Sequence, residues 1–183
     1  MQIRNTRNGY GAIARALHWW MAALVIGLIG LGLYMTDQPD GDPKWALYDL
    51  HKSLGTLLFM FLVLRIVWRK MSPPPPLPAG MVGFEALAAH AGHLLLYAAM
   101  IALPLTGYLD SAFGGYHISF FGWFDVPMLF EKDKPLFELA ELAHHWIGYA
   151  LALLVLAHAG AALKHHFVQK DDVLLRMLKD RPD

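Results

Sequence analysis

The chain has 183 residues, of which 56% are hydrophobic, 13% aromatic and only 16% charged, and its formal net charge is zero. A water-soluble domain carries about a quarter charged residues, so the composition is that of a membrane protein, and without a basic field it has no call for a nucleic-acid partner. There is no cysteine, which excludes disulfides, thiolate metal sites, cysteine-bound iron–sulfur clusters and covalently attached c-type haem. Ten histidines and nine methionines remain as soft ligands.

The first fifteen residues hold Arg4, Arg7 and Arg15 and no acid. An uncharged run, 16–35, follows and is long enough to cross a bilayer as a helix. It ends in Met35-Thr-Asp-Gln-Pro39 rather than a small-residue cleavage site, so it reads as a retained first span. His18 lies at its start beside Trp19 and Trp20, residues suited to the interface belt. A short acidic loop with two prolines and a glycine leads to a second span at 47–68, which carries His51 early and Arg65 late and is closed by Arg69-Lys70. Ser72-Pro-Pro-Pro-Pro-Leu-Pro78 reads as a stiff, extended linker. The third span, 84–109, holds His90 and His93, and its Pro104 is expected to kink it or loosen its final turns. The stretch 110–140 reads as an ordered surface loop with a short interfacial helix. The fourth span, 141–163, is followed by a charged tail from Lys164 to Asp183.

Eleven of the fifteen Lys and Arg fall in the amino-terminal tail, around the end of span two and in the carboxy-terminal tail. The positive-inside rule then gives an all-α, four-helix transmembrane bundle, one domain over 1–183, with both termini cytoplasmic. In that orientation His18 and His158 lie at the inner level, and His51 and His144 at the outer level.

His144 and His158 are 14 positions apart in the fourth span. That is nearly four turns, so they share one face, roughly 21 Å apart along the axis. Buried polar groups in a membrane are costly and mark ions, protons or cofactors; the bland alternative is hydrogen bonding across the bundle. Pairing by depth, His18 with His158 and His51 with His144, supplies two axial bis-imidazole sites for a planar cofactor. The residues one turn on are Ala22, Gly55, Gly148 and Ala162, all small. Small residues also serve plain helix packing. The same 14-residue step leads from His18 to Gly32 and from His51 to Arg65. Gly32 would clear space for an outer macrocycle, and Arg65 would meet haem propionates at the inner level or else snorkel to the surface.

The remaining histidines have weaker claims. His145 points about 100° away from the His144 face. His90 and His93 share a face and could replace a ligand, line a quinone pocket, contact propionates or be structural. His165 and His166 read as solvated interface residues, and His117 lies in the loop near an outer entrance.

These stretches resemble the bacterial di-haem cytochrome b561 family, which shares its four-helix fold with the haem b subunits of formate dehydrogenase and nickel–iron hydrogenase. The matching pieces are Tyr10-Gly-Ala-Ile-Ala-Arg-Ala-Leu-His18-Trp, Leu50-His51-Lys-Ser-Leu-Gly55, Leu64-Arg65-Ile-Val-Trp-Arg69, Gly92-His93-Leu-Leu-Leu-Tyr97, Ile118-Ser-Phe-Phe-Gly-Trp-Phe-Asp-Val-Pro127 and His158-Ala-Gly-Ala-Ala-Leu-Lys-His-His-Phe167. The resemblance spans nearly the whole chain. It implies two b haems, with His18 and His158 as axial ligands of the inner iron and His51 and His144 of the outer; the doubled His144-His145 leaves a choice of register. It also implies a multi-pass protein of the bacterial inner membrane that moves electrons between an outer donor and ubiquinone, with superoxide oxidation as one such reaction. Lys52, beside His51, would favour an anionic donor. A second reading keeps the haems but makes the chain an anchor subunit relaying electrons for a partner dehydrogenase. A third, a histidine-lined ion or proton transporter, would need carboxylates at mid-depth, whereas Asp49 and Glu141 lie only at outer helix ends.

Overall fold

The computed structural model describes residues 2–78 and 80–179, so the last residues of the charged tail lie outside the described residues. Four long helices make up about two thirds of it: α1 (Ala12–Thr36), α2 (Asp42–Met71), α3 (Phe84–Gly114) and α4 (Lys134–Lys164). All four are long and apolar enough to cross a membrane. Little of their central surface is covered by protein, and large side chains such as Ile26, Leu64, Leu94 and Leu153 stand exposed along them. Such surface requires an apolar solvent, which a bilayer supplies.

Each helix extends beyond the apolar run that marks it in the sequence, because local capping, not hydrophobicity, sets its ends. At α2, Asp42 and Pro43 open the first turn, where a carboxylate meets the helix dipole and proline gives up an N–H that has no partner anyway. Helix α3 continues through Pro104 to Gly114 rather than fading there. It ends in a Schellman motif: Gly115 takes the left-handed φ of 73°, its N–H bonds to Ala112 O, and Tyr116 N–H bonds to Ser111 O. At α4 the Asp133 carboxylate accepts the Leu136 N–H at 3.0 Å, an N-cap that starts the helix well before the apolar stretch.

The loop between α3 and α4 contains no interfacial helix. It forms a two-stranded antiparallel hairpin, β1 (Ser119–Phe120) and β2 (Phe124–Asp125), turned through left-handed Phe121 and Gly122. Ile118 and Phe120 are buried, and Ser53 of α2 holds the base by donating to Ser119 O and accepting the Phe121 N–H. Alternation of large aromatics over so few residues suits strands better than an amphipathic helix. After α4 comes a π-helical turn (His165–Gln169) that ends at left-handed Lys170, then a short helix, α5 (Leu175–Leu178). His165 is not simply solvated: its Nδ1 pairs with the Asp171 carboxylate.

The described chain groups into two compact units, and every transmembrane-length helix contributes to both. The first (to Ala22, Phe61–Tyr97, from Leu153) packs around Met21, Leu62 and the buried Ser72. Its amino-terminal segment is tied to the proline linker through Asn5, which bonds Ser72 Oγ, Ser72 O and Pro73 O. The second unit (Ala23–Met60, Ala98–Ala152) packs around Val25, Leu28, Leu58, Ala99, Ser111, Phe120 and Leu151.

Candidate cofactor sites

In the second unit the structure brings His51 of α2 and His144 of α4 together, with ring centres 6.2 Å apart. Their surroundings differ. His144 Nδ1 lies 3.0 Å from Leu103 O and 3.2 Å from Thr106 Oγ1 on α3. A carbonyl can only accept, so it holds the proton on Nδ1 and leaves Nε2 with a free lone pair, the usual setting of a metal-binding imidazole. Gly107 has no side chain, which lets the ring approach this backbone. A Cβ at Gly107 would lie 3.0 Å from His144 Cε1 and 3.2 Å from its Nδ1. His51 Nδ1 is buried without a hydrogen-bond partner, and a Cβ at Gly32 would stand 3.4 Å from His51 Cε1. Gly32 thus seats the imidazole itself, where the sequence suggested room for the macrocycle.

In the first unit His18 of α1 and His158 of α4 have ring centres 6.1 Å apart. His93 of α3 joins them, 5.6 Å from His158, so three imidazoles share this site. Arg65 of α2 reaches the same place: its Nε donates to Tyr97 Oη at 3.1 Å, and its Nη2 lies 3.3 Å from His18 Nδ1. Arg69 stacks over the Tyr97 ring.

The donor sets fit a haem. Two imidazoles on opposite sides of one metal, each bonded at about 2 Å, have centres roughly 6 Å apart, as both pairs do. A Cβ at Gly55 would meet nothing within 4 Å, and one at Gly148 only Leu103 Cδ2 at 4.0 Å, so the helix faces one turn from His51 and His144 are open.

The other sequence candidates fall outside these clusters. His145 Nδ1 bonds Glu141 O in its own helix, and His90 Nδ1 likewise bonds Ala86 O. His117 is exposed, and its carbonyl accepts from Lys52 Nζ. Lys52 also lies 3.6 Å from the Asp49 carboxylate, which offsets its charge. Sequence reasoning missed Leu103, Thr106 and Gly107 as the seat of His144. The Thr106-Gly107 pair inside an apolar helix was the available signal, a hydroxyl beside a residue without a side chain.

Comparison with known proteins agrees. Residues 9–180 match the family described as prokaryotic cytochrome b561. The chain is 44% identical to cytochrome b561 homolog 2 of Escherichia coli (strain K12) over 180 residues, 97% of this chain and 95% of the relative. It is 32% identical to cytochrome b561 homolog 1 of the same organism, covering 78% and 81% of the two chains. It is also 29% identical to the probable superoxide oxidase CybB of Yersinia pestis, covering 92% and 95%. This chain therefore belongs to the prokaryotic cytochrome b561 family, and haem b is the cofactor that membership implies.

Proposed function

We propose that the chain binds two b haems, one between His18 and His158 and one between His51 and His144, and passes single electrons across the inner membrane between an outer donor and ubiquinone. The observation that carries this reading is the pair of two-histidine sites, each drawn from two helices at ring separations of 6.1 and 6.2 Å. Both sites draw one histidine from α4, His144 and His158. By its Lys and Arg distribution both termini face the cytoplasm, so His51 and His144 form the outer site. Bound there, haem iron supplies a one-electron acceptor and donor. The protein supplies position: Leu103 O and Gly107 orient His144, Gly32 backs His51, and Arg65 sets the charge beside His18.

Superoxide is the donor we favour, on the strength of the name carried by the Yersinia pestis relative. Two superoxide anions would each give one electron and leave as dioxygen, and one ubiquinone would take both electrons with two protons to become the quinol. The test uses purified haem-loaded protein, supplied with superoxide and a short-chain ubiquinone. Haem reduction and quinol formation are expected at two superoxide per quinol. Reduction by a protein donor or by quinol, with none by superoxide, would replace the oxidase reading with that of a relay subunit.

A further inference from the structure

Beside Arg65, in the first unit, lies a cavity of about 30 Å³ lined by Asn5, Tyr10, Arg65, Trp68, Arg69 and Tyr97, among others. Three of its side chains, Arg65, Trp68 and Arg69, can only donate. Trp68 Nε1, which can only donate, is buried with no partner. Most acceptors nearby already take a hydrogen bond: Asn5 Oδ1 takes the Gly11 N–H, Ser72 Oγ takes the Asn5 N–H, and Tyr97 Oη takes Arg65 Nε. Neither guanidinium has a carboxylate partner among the described residues. Burial pushes the Tyr10 phenol above its ordinary value, against the pull of Arg69, Arg65 and Arg176, so it stays a neutral O–H.

A second conflict points the same way. If His18 binds iron through Nε2, its Nδ1 carries the proton, and the 3.3 Å contact to Arg65 Nη2 sets one donor against another. An acceptor shared between them resolves it. A water would fit the space, but it brings two more hydrogens to a cluster of donors. A carboxylate brings none and pairs with guanidinium through charge-assisted bonds.

We infer that this cavity is a carboxylate seat in which Arg65, Trp68 and Arg69 hold a propionate of the haem bound at His18 and His158. The inference rests on the haem reading of that pair and adds Trp68 and Arg69 as propionate ligands. The experiment is redox-difference infrared spectroscopy of the haem-loaded protein, with the haem propionates labelled with ¹³C so that their bands are told from those of Asp, Glu or a buffer anion. Trp68→Phe removes the N–H and keeps a ring. It should retain both haems, shift the isotope-sensitive carboxylate bands, and lower the reduction equilibrium of this haem on the order of threefold. Arg69→Gln, at an exposed position that tolerates change, should shift the same bands. Labelled bands unchanged in both variants would overturn the inference and leave the cavity to water. Failure of the haem reading itself would show separately, as two haems retained in His18→Ala.

Discussion

Replacing Arg65 with leucine isolates a charge whose partners are known. Arg65 Nη2 lies 3.3 Å from His18 Nδ1. Crossing the imidazole to a metal on its far side puts the guanidinium at most about 8 Å from the iron, and at an effective dielectric of about 20 one positive charge there stabilises one added electron by about 2 kcal/mol. One decade of a one-electron equilibrium is about 59 mV, so Arg65→Leu should lower the potential of the His18–His158 haem by roughly 90 mV. The His51–His144 haem should stay where it is. Arg65→Lys keeps the charge but loses the forked geometry toward His18 and Tyr97, so its drop should be smaller. The assay is an optical redox titration of purified protein, with haem content measured in parallel. If both potentials are unmoved in Arg65→Leu while two haems remain, solvent screens the guanidinium, and its role at the site is refuted. Loss of a haem would point instead to packing, and Tyr97→Phe then separates the hydrogen bond from the charge.

Three further outcomes follow from the contacts. Gly107→Ala forces a methyl to within 3.0 Å of His144. It should cost about 1–3 kcal/mol of packing and reduce haem occupancy at the His51–His144 site, while Gly32→Ala, at 3.4 Å, should do so less; haem per chain reads both. His145→Ala should keep two haems per chain and His144→Ala one, because His145 turns away to Glu141 O; the reverse result would move the ligand by one residue. Ser53→Ala removes the buried hydroxyl that ties Phe121 and Ser119 to α2. It should cost about 1–3 kcal/mol, seen as a lower Tm with haem content unchanged.

The four spans were legible because hydrophobicity over about twenty residues is a one-dimensional signal. Their ends were less so. The Schellman turn at Gly115 and the Asp133 cap depend on single hydrogen-bonding groups, which an apolar window does not weigh. The partners of the four histidines could be named from depth and helix period, and the structure brings those residues together at about the same separation in each pair. The chain's period also placed Arg65 at the level of His18. It could not show that Gly32 faces the His51 ring, that His93 joins His18 and His158, or that Lys52 is already engaged by Asp49 and the His117 carbonyl. Those facts depend on how neighbouring helices are rotated, and with no alignment of contacts in the sequence itself, a helix's period fixes its own faces but not what they meet.

The two sites also differ in a way that bears on direction. Beside His18 stand Arg65 and, one turn further, Arg69, neither paired with a carboxylate among the described residues. Beside His51 the adjacent cation, Lys52, is offset by Asp49 at 3.6 Å. Positive charge favours the reduced, more negative state of a bound cofactor, and two guanidinium groups against one propionate leave a net positive charge, so on the proposed reading the His18–His158 haem is the one of higher potential. If the His51–His144 site faces outward, as proposed, electrons given up outside then run downhill to the His18–His158 haem. A protein built to pass electrons outward would place these guanidinium groups at the other pair. Equal potentials in the wild type, or a higher one at His51–His144, would remove this bias.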